Sequence, residues 1–152
     1  MKTSIGIEQY TLTTSESIGL VVFAHGSRVA AANEAVARVA REASRLAGIA
    51  LYRAAFLELA PPTLAEAVAE LAATGARRVL VTPYFLTMGR HLTEDLPRLL
   101  HTIRAEHPEL QLEASPPLDG HPHLAEILAD RALSLLHTAS CESQQLGHRQ
   151  AR

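Results

Sequence analysis

Lysine is almost missing from this chain of 152 residues: of its 14 basic residues only Lys2 is a lysine, and the rest are arginines. The net charge is -2, so there is no basic excess with which to coat a polyanion, and no nucleic-acid partner is expected. Cysteine is equally scarce. Cys141 stands alone, which excludes an internal disulfide and fits a reducing compartment. No apolar run reaches the roughly 18 residues a membrane helix needs, and Met1 to Ser17 lacks the basic start and apolar middle of a secretory signal. A cytoplasmic protein without a membrane partner is expected. Familiar chemical motifs are missing too. There is no phosphate-loop spacing, no dinucleotide glycine fingerprint and no nucleophile elbow. Ala24 precedes His25 where a histidine phosphatase would carry an arginine. Phosphate and acyl chemistries are therefore poorly served.

What is present is a 47% hydrophobic chain of a length that suits one compact domain with a modest core. Residues 1–17 read as a flexible N-terminal extension and residues 138–152, rich in Gln and Ser, as a disordered C-terminal tail. Between them, over 18–137, strand and helix patterns alternate. Leu20 to Ala24 is a continuous apolar run, as in a strand buried on both faces. Val36, Val39, Ala40, Ala43 and Leu46 recur at helical spacing over 29–47, and Gly48 is placed to end that helix. Ile49 to Phe56 reads as a second strand. Thr63, after Pro61-Pro62, is placed to cap a helix carrying Leu64, Val68 and Leu71. Arg78 to Phe85 reads as a third strand, with Pro83 marking its end because proline has no N–H to give a ladder. Over His91 to Glu106, Leu92, Leu96, Leu99, Leu100 and Ile103 form a helical stripe, and Pro97 should shift the start or bend it. Leu110, Leu112 and Ala114 alternate with Gln111 and Glu113, the pattern of a half-exposed edge strand. A last helix follows Asp119-Gly120-His121-Pro122, with Leu124, Ile127, Leu128, Leu135 and Leu136 expected to be buried. The order predicts an α/β fold, a flavodoxin-like domain with a four-stranded parallel sheet and helices on both faces.

In such a sheet, ligands bind beyond the carboxyl ends of the strands. His25, Glu58, the loop from Pro83 to His91 and the loop from Ser115 to His121 all fall at that edge. Two imidazoles and a carboxylate there are borderline ligands suited to a divalent transition metal. Taken singly, each has a plain alternative. His25-Gly26-Ser27 fits a turn with Ser27 capping the next helix. His91 fits an exposed residue at a helix start, a place that favours the neutral, metal-binding imidazole. Glu58 fits a solvated glutamate, and His121 fits helix capping as well as ligand contact. His101, His107 and His123 read as surface residues, and His137 as a residue near the end of the last helix, where a cation is merely favourable.

Four stretches together resemble a family. They are Val22-Phe-Ala-His25-Gly-Ser-Arg28; Ala55-Phe-Leu-Glu58-Leu-Ala-Pro-Pro62; Val81-Thr-Pro-Tyr-Phe-Leu86 with Gly89-Arg-His91 and Asp95-Leu-Pro97; and Pro116-Pro-Leu-Asp-Gly-His121-Pro122. In this order, over roughly 18–136, they resemble the short CbiX/SirB sirohydrochlorin chelatases, class II chelatases of cobalamin and sirohaem synthesis. Asp119 departs from the small residues usual in that last loop. The resemblance implies a lyase that inserts a divalent metal into sirohydrochlorin without ATP: cobalt first, or iron, with nickel as the further member of the series. It implies His25 and His91 as the metal-binding and catalytic pair, with Glu58 at the acidic position after the second strand. No cofactor is implied beyond the substrate metal, Co2+, Fe2+ or Ni2+.

Such a reaction must strip water from the metal and remove two pyrrole protons. Histidines with pKa near ~6.5 can accept protons near neutrality, and a carboxylate can pass them outward. The substrate is rimmed by carboxylates, so Arg28 and Arg90, which flank the two histidines, are candidate bidentate partners. Ser27, Thr87 and His121 are candidate further contacts. A tetrapyrrole is a broad plate, and longer relatives carry two such halves in one chain, so a homodimer is expected to supply the second wall. Apolar surface at Tyr84, Phe85, Leu86 and Met88 would line the ring or that interface. A non-catalytic tetrapyrrole or metal carrier would use the same cleft, and an unrelated phosphate-handling α/β protein stays a third reading.

Overall fold

The structure is a computed structural model. It describes residues 17–149 apart from Met88 and Arg90, and the backbone alone for His91, Leu92 and residues 137–149. The N-terminal extension therefore lies outside the described residues except for Ser17, whose carbonyl accepts a hydrogen bond from Arg77 N. The described chain falls into two compact units, one ending at Pro117 and one beginning at Leu118.

The first unit holds the sheet. β1 (Ile18–Ala24) leads to α1 (Ala30–Ala47), β2 (Leu51–Phe56), α2 (Leu64–Ala73) and β3 (Arg78–Pro83). A π-helical turn (His91–Asp95) then opens into α3 (Leu96–Glu106), followed by β4 (Gln111–Ala114). All pairings are parallel and the order is β2-β1-β3-β4. β1 is thus central, which is why its run is apolar without alternation and buried from Gly19 to Ala24. β4 is an edge strand, and only Leu112 of its four residues is buried.

One face carries the main core. Val21, Phe23, Ala55, Val79 and Val81 from the strands meet Leu64, Val68 and Leu71 of α2 and Leu96, Leu100 and Ile103 of α3. Full burial of a side chain such as Phe23 contributes about 1.5–3 kcal/mol. The intervening Leu20, Val22 and Ala24 are buried as well, on the side where α1 packs against β1 and β2. Right-handed crossovers place helices on both faces in this way.

Local chemistry sets the element ends. Gly48, at φ 68°, closes α1, a conformation that costs a residue with a Cβ. Thr63 opens α2 with a reciprocal capping box: its Oγ1 accepts from Glu66 N at 3.3 Å and Glu66 Oε2 accepts from Thr63 N at 2.7 Å. β3 stops at Pro83, the end that its missing N–H predicts, although Tyr84 N still donates to Phe23 O. Pro97 sits in the first turn of α3, and the regular α-helix starts only at Leu96, after the π-helical turn. The expected cap at Ser27 is not formed. α1 begins at Ala30 after Val29, and Ser27 Oγ instead accepts from Val29 N at 3.0 Å, closing a local turn.

The second unit contains α4 (His123–Arg149), whose backbone includes residues 138–149 that composition assigns to a tail. Its apolar stripe departs from expectation. Ile127, Leu128, Leu135 and Leu136, expected to be buried, are each more than half exposed. Among the described residues no helix is long and apolar enough to cross a membrane.

Candidate active site

The site starts from the backbone register of β1 and β2. Ala24 pairs with Phe56, and the ladder runs on past both strands: Leu57 N donates to Ala24 O at 2.9 Å and Glu58 N to His25 O at 3.0 Å. Two residues far apart in the chain are thereby side by side at the carboxyl edge. Gly26 makes the approach possible. It adopts φ 96°, and a Cβ built on it would lie 1.9 Å from Glu58 O. Only a hydrogen fits there. Beyond Glu58 the chain turns at once through Leu59, held at φ 66°, to the Pro61-Pro62 bend that leads into α2.

The side chains then meet. His25 Nε2 lies 3.0 Å from Glu58 Oε1, and the two side chains are 43% and 53% exposed, so the pair is open to an incoming ligand. His25 Nδ1 lies 3.4 Å from Gly26 O, too long to fix the tautomer. When Nε2–H donates to Glu58, the lone pair resides on Nδ1. This is the arrangement in which a carboxylate orients an imidazole whose other nitrogen serves a metal.

A second device steadies this loop. Asn33, in the first turns of α1, reaches back to Ser27 with both ends of its amide: Oδ1 accepts from Ser27 N at 3.0 Å and Nδ2 donates to Ser27 O at 2.7 Å. The amide closes the loop behind His25 like a backbone strand. Sequence reading missed Asn33. The available signal was a polar amide six residues after Ser27, on a helix whose neighbouring positions are mostly alanine.

The other candidates are placed as follows. Arg28 is exposed just after the histidine loop, and Thr87 is exposed in the connection beyond β3. The backbone of His91 opens the π-helical turn after that connection, while its side chain lies outside the described residues, as does Arg90. Among the described residues no third histidine, cysteine or carboxylate joins His25 and Glu58 in a metal-sized cluster. His121 belongs to the second unit. There its Nδ1 accepts from His123 N at 3.3 Å, its ring lies against that of His123 with centroids 5.2 Å apart, and His123 Nδ1 contacts Glu126 at 2.7 Å, all at the start of α4. Tyr84 and Leu86 are exposed as expected, but Phe85 turns inward onto Phe23, with ring centroids 5.9 Å apart. Met88 lies outside the described residues.

Two concavities adjoin the loop. A cavity of about 300 Å3 lies beyond Glu58, lined by Leu57, Glu58, Asp95, Arg98 and Leu99. A larger open groove of about 610 Å3 runs along the β2 edge past Asn33, Arg53, Phe56, Pro62, Glu66 and Glu70. It touches neither His25 nor Glu58, and its size alone gives it no claim to the chemistry.

A parallel sheet of order 2-1-3-4, carrying an open histidine–carboxylate pair beside its β1/β3 switch point, defines a ligand-binding α/β protein of the doubly wound class. The chain belongs to the CbiX family, whose profile matches residues 19–135. It is similar to a sirohydrochlorin cobaltochelatase of Methanococcoides burtonii, 31% identical over 130 residues, which span 80% of this chain and 99% of that protein. It is also similar to a chloroplastic sirohydrochlorin ferrochelatase of Arabidopsis thaliana, 30% identical over 113 residues, 74% of this chain and half of that one. Among solved structures, a cobalamin (vitamin B12) biosynthesis CbiX protein from Marinobacter aquaeolei superposes with a TM-score of 0.69 at 28% identity, covering 80% of this chain and 98% of the other.

Proposed function

We propose that this protein is a sirohydrochlorin chelatase, an ATP-independent lyase that inserts cobalt, or iron, into sirohydrochlorin for cobalamin or sirohaem synthesis. One observation carries the reading: the open His25–Glu58 pair, 3.0 Å apart at the carboxyl edge of the sheet, in a member of the CbiX family. The relatives named above support it by chemistry, one being a cobaltochelatase and the other a ferrochelatase. In this reading His25 and His91 receive the hydrated metal and one of them takes a pyrrole proton. Glu58 orients His25 and passes the proton to solvent. Arg28 and Arg90, with Ser27 and Thr87, hold carboxylates at the rim of the substrate. The metal is substrate, and no resident cofactor is invoked. A homodimer in the cytoplasm completes the reading, and the exposed apolar stripe of α4 supports self-association.

The test is turnover. Purified protein, sirohydrochlorin in excess and Co2+, Fe2+ or Ni2+ supplied singly and in competition are followed by absorption. Insertion above the spontaneous rate is expected, fastest with cobalt, and His25→Ala should remove most of it. A wild-type rate equal to the spontaneous one for every metal sinks the enzyme and leaves a carrier.

A further inference from the structure

The cavity beyond Glu58 has walls from two elements. Leu57 and Glu58 come from the connection after β2, and Asp95, Arg98 and Leu99 from the start of α3. Among the described residues, Arg98 is the one cation that lines it. Its Nη2 donates to Asp95 Oδ1 at 2.6 Å, with Asp95 27% and Arg98 76% exposed. The half-buried carboxylate anchors the guanidinium by one nitrogen while the larger part of that group stays in solvent. A guanidinium carries several N–H donors in a planar fork, and such forks take carboxylates in bidentate fashion. On the opposite wall, Glu58 is engaged with His25. Leu57 and Leu99 give the cavity apolar sides of the kind that suit the methylenes of a short acid side chain.

We propose that Arg98 binds one peripheral carboxylate of the tetrapyrrole, whose acid arm enters this cavity and thereby sets the position of the ring over His25. The proposal rests on the chelatase reading for its substrate. It assigns to the Asp95-Leu-Pro97 stretch a purpose of its own: Asp95 aims the arginine that follows one turn later. Glu58 and Asp95 already engage His25 and Arg98, so the charged side chain that the described lining offers an acid arm as a donor is Arg98.

Steady-state kinetics with Co2+ and a metal-free titration of sirohydrochlorin, followed by absorption, test the assignment together. In Arg98→Ala the KM for sirohydrochlorin and its Kd in the absence of metal should both rise about ten-fold, the loss of one charge-assisted contact. The kcat should fall as well, because the ring is less well placed over His25, while the KM for Co2+ should stay unchanged. Arg98→Lys should recover part of the affinity, since a point charge lacks the fork. Arg98→Glu should weaken binding further. Unchanged KM and Kd in Arg98→Ala, or a rise confined to the KM for Co2+, overturns the assignment. If the wild type binds sirohydrochlorin but inserts no metal, the chelatase reading fails while the titration still decides on Arg98. If the wild type does not bind it at all, both fail. Arg98 is an exposed residue, so a thermal midpoint equal to that of the wild type checks that each variant is folded.

Discussion

Gly26 is the residue on which the site turns. His25 and Glu58 touch only because the backbone of Gly26 passes against the carbonyl of Glu58 with no side chain between them. Gly26→Ala should therefore destabilise the fold by about 1–3 kcal/mol through overlap and a left-handed φ, and should part His25 from Glu58. Denaturant midpoints report the first effect. Loss of metal binding, beyond what unfolding accounts for, reports the second. Full stability in Gly26→Ala would show that the two loops can separate at no cost. His25, Gly26 and Glu58 are all legible in the sequence as residues at strand ends. Their contact is not, since nothing in residues 19–28 says which strand lies alongside. Asn33 shows the same limit from the other direction. An asparagine early in a helix is an ordinary sight, and only folding brings its amide onto both backbone groups of Ser27.

At the scale of elements, burial pattern was readable and strand order was not. The unbroken apolar run of β1 marked a central strand, and the alternation around Leu112 marked an edge, because the number of covered faces dictates which positions must be apolar. β2 gives no such signal. It is also an edge strand, yet Ala55 and Phe56 at its end are buried, next to β1 and below the turn into α2. That turn depends on a cap legible in advance. Thr63 and Glu66 satisfy two orphan N–H groups reciprocally, and Thr63→Ala should lower the stability of the folded chain by about 1 kcal/mol. Equilibrium urea denaturation measures it, and a change within error would mean that the core contacts of Leu64 and Val68 hold the helix start without help. The helix predicted from His91 begins as a π-helical turn and becomes regular at Leu96. Proline at 97 signalled a disturbance there without specifying its form, which depends on where Leu96, Leu100 and Ile103 must land in the core.

For the whole molecule, the near-neutral charge and the scarcity of lysine and cysteine set broad bounds, while the partner surfaces depend on what folding leaves uncovered. α4 carries Ile127, Leu128 and Leu135 on its surface. In a homodimer these side chains have a place to go, so Leu128→Glu combined with Leu135→Glu should shift the protein toward monomer in sedimentation velocity, with the thermal midpoint becoming independent of concentration. A wild type already monomeric across the micromolar range would remove this role from α4. By itself the sequence determined the α/β alternation, the central character of β1, the helix ends at Gly48 and Thr63, and the list of polar residues at strand exits. These follow from local propensity and from periodicity, which act over a few residues. Only the tertiary structure decided that β1 lies between β2 and β3, that His25 meets Glu58, that Asn33 clamps Ser27 and that Arg98 faces the cavity shared with Glu58. Strand order and register come from burying apolar surface between segments distant in the chain, and the site is a by-product of that register.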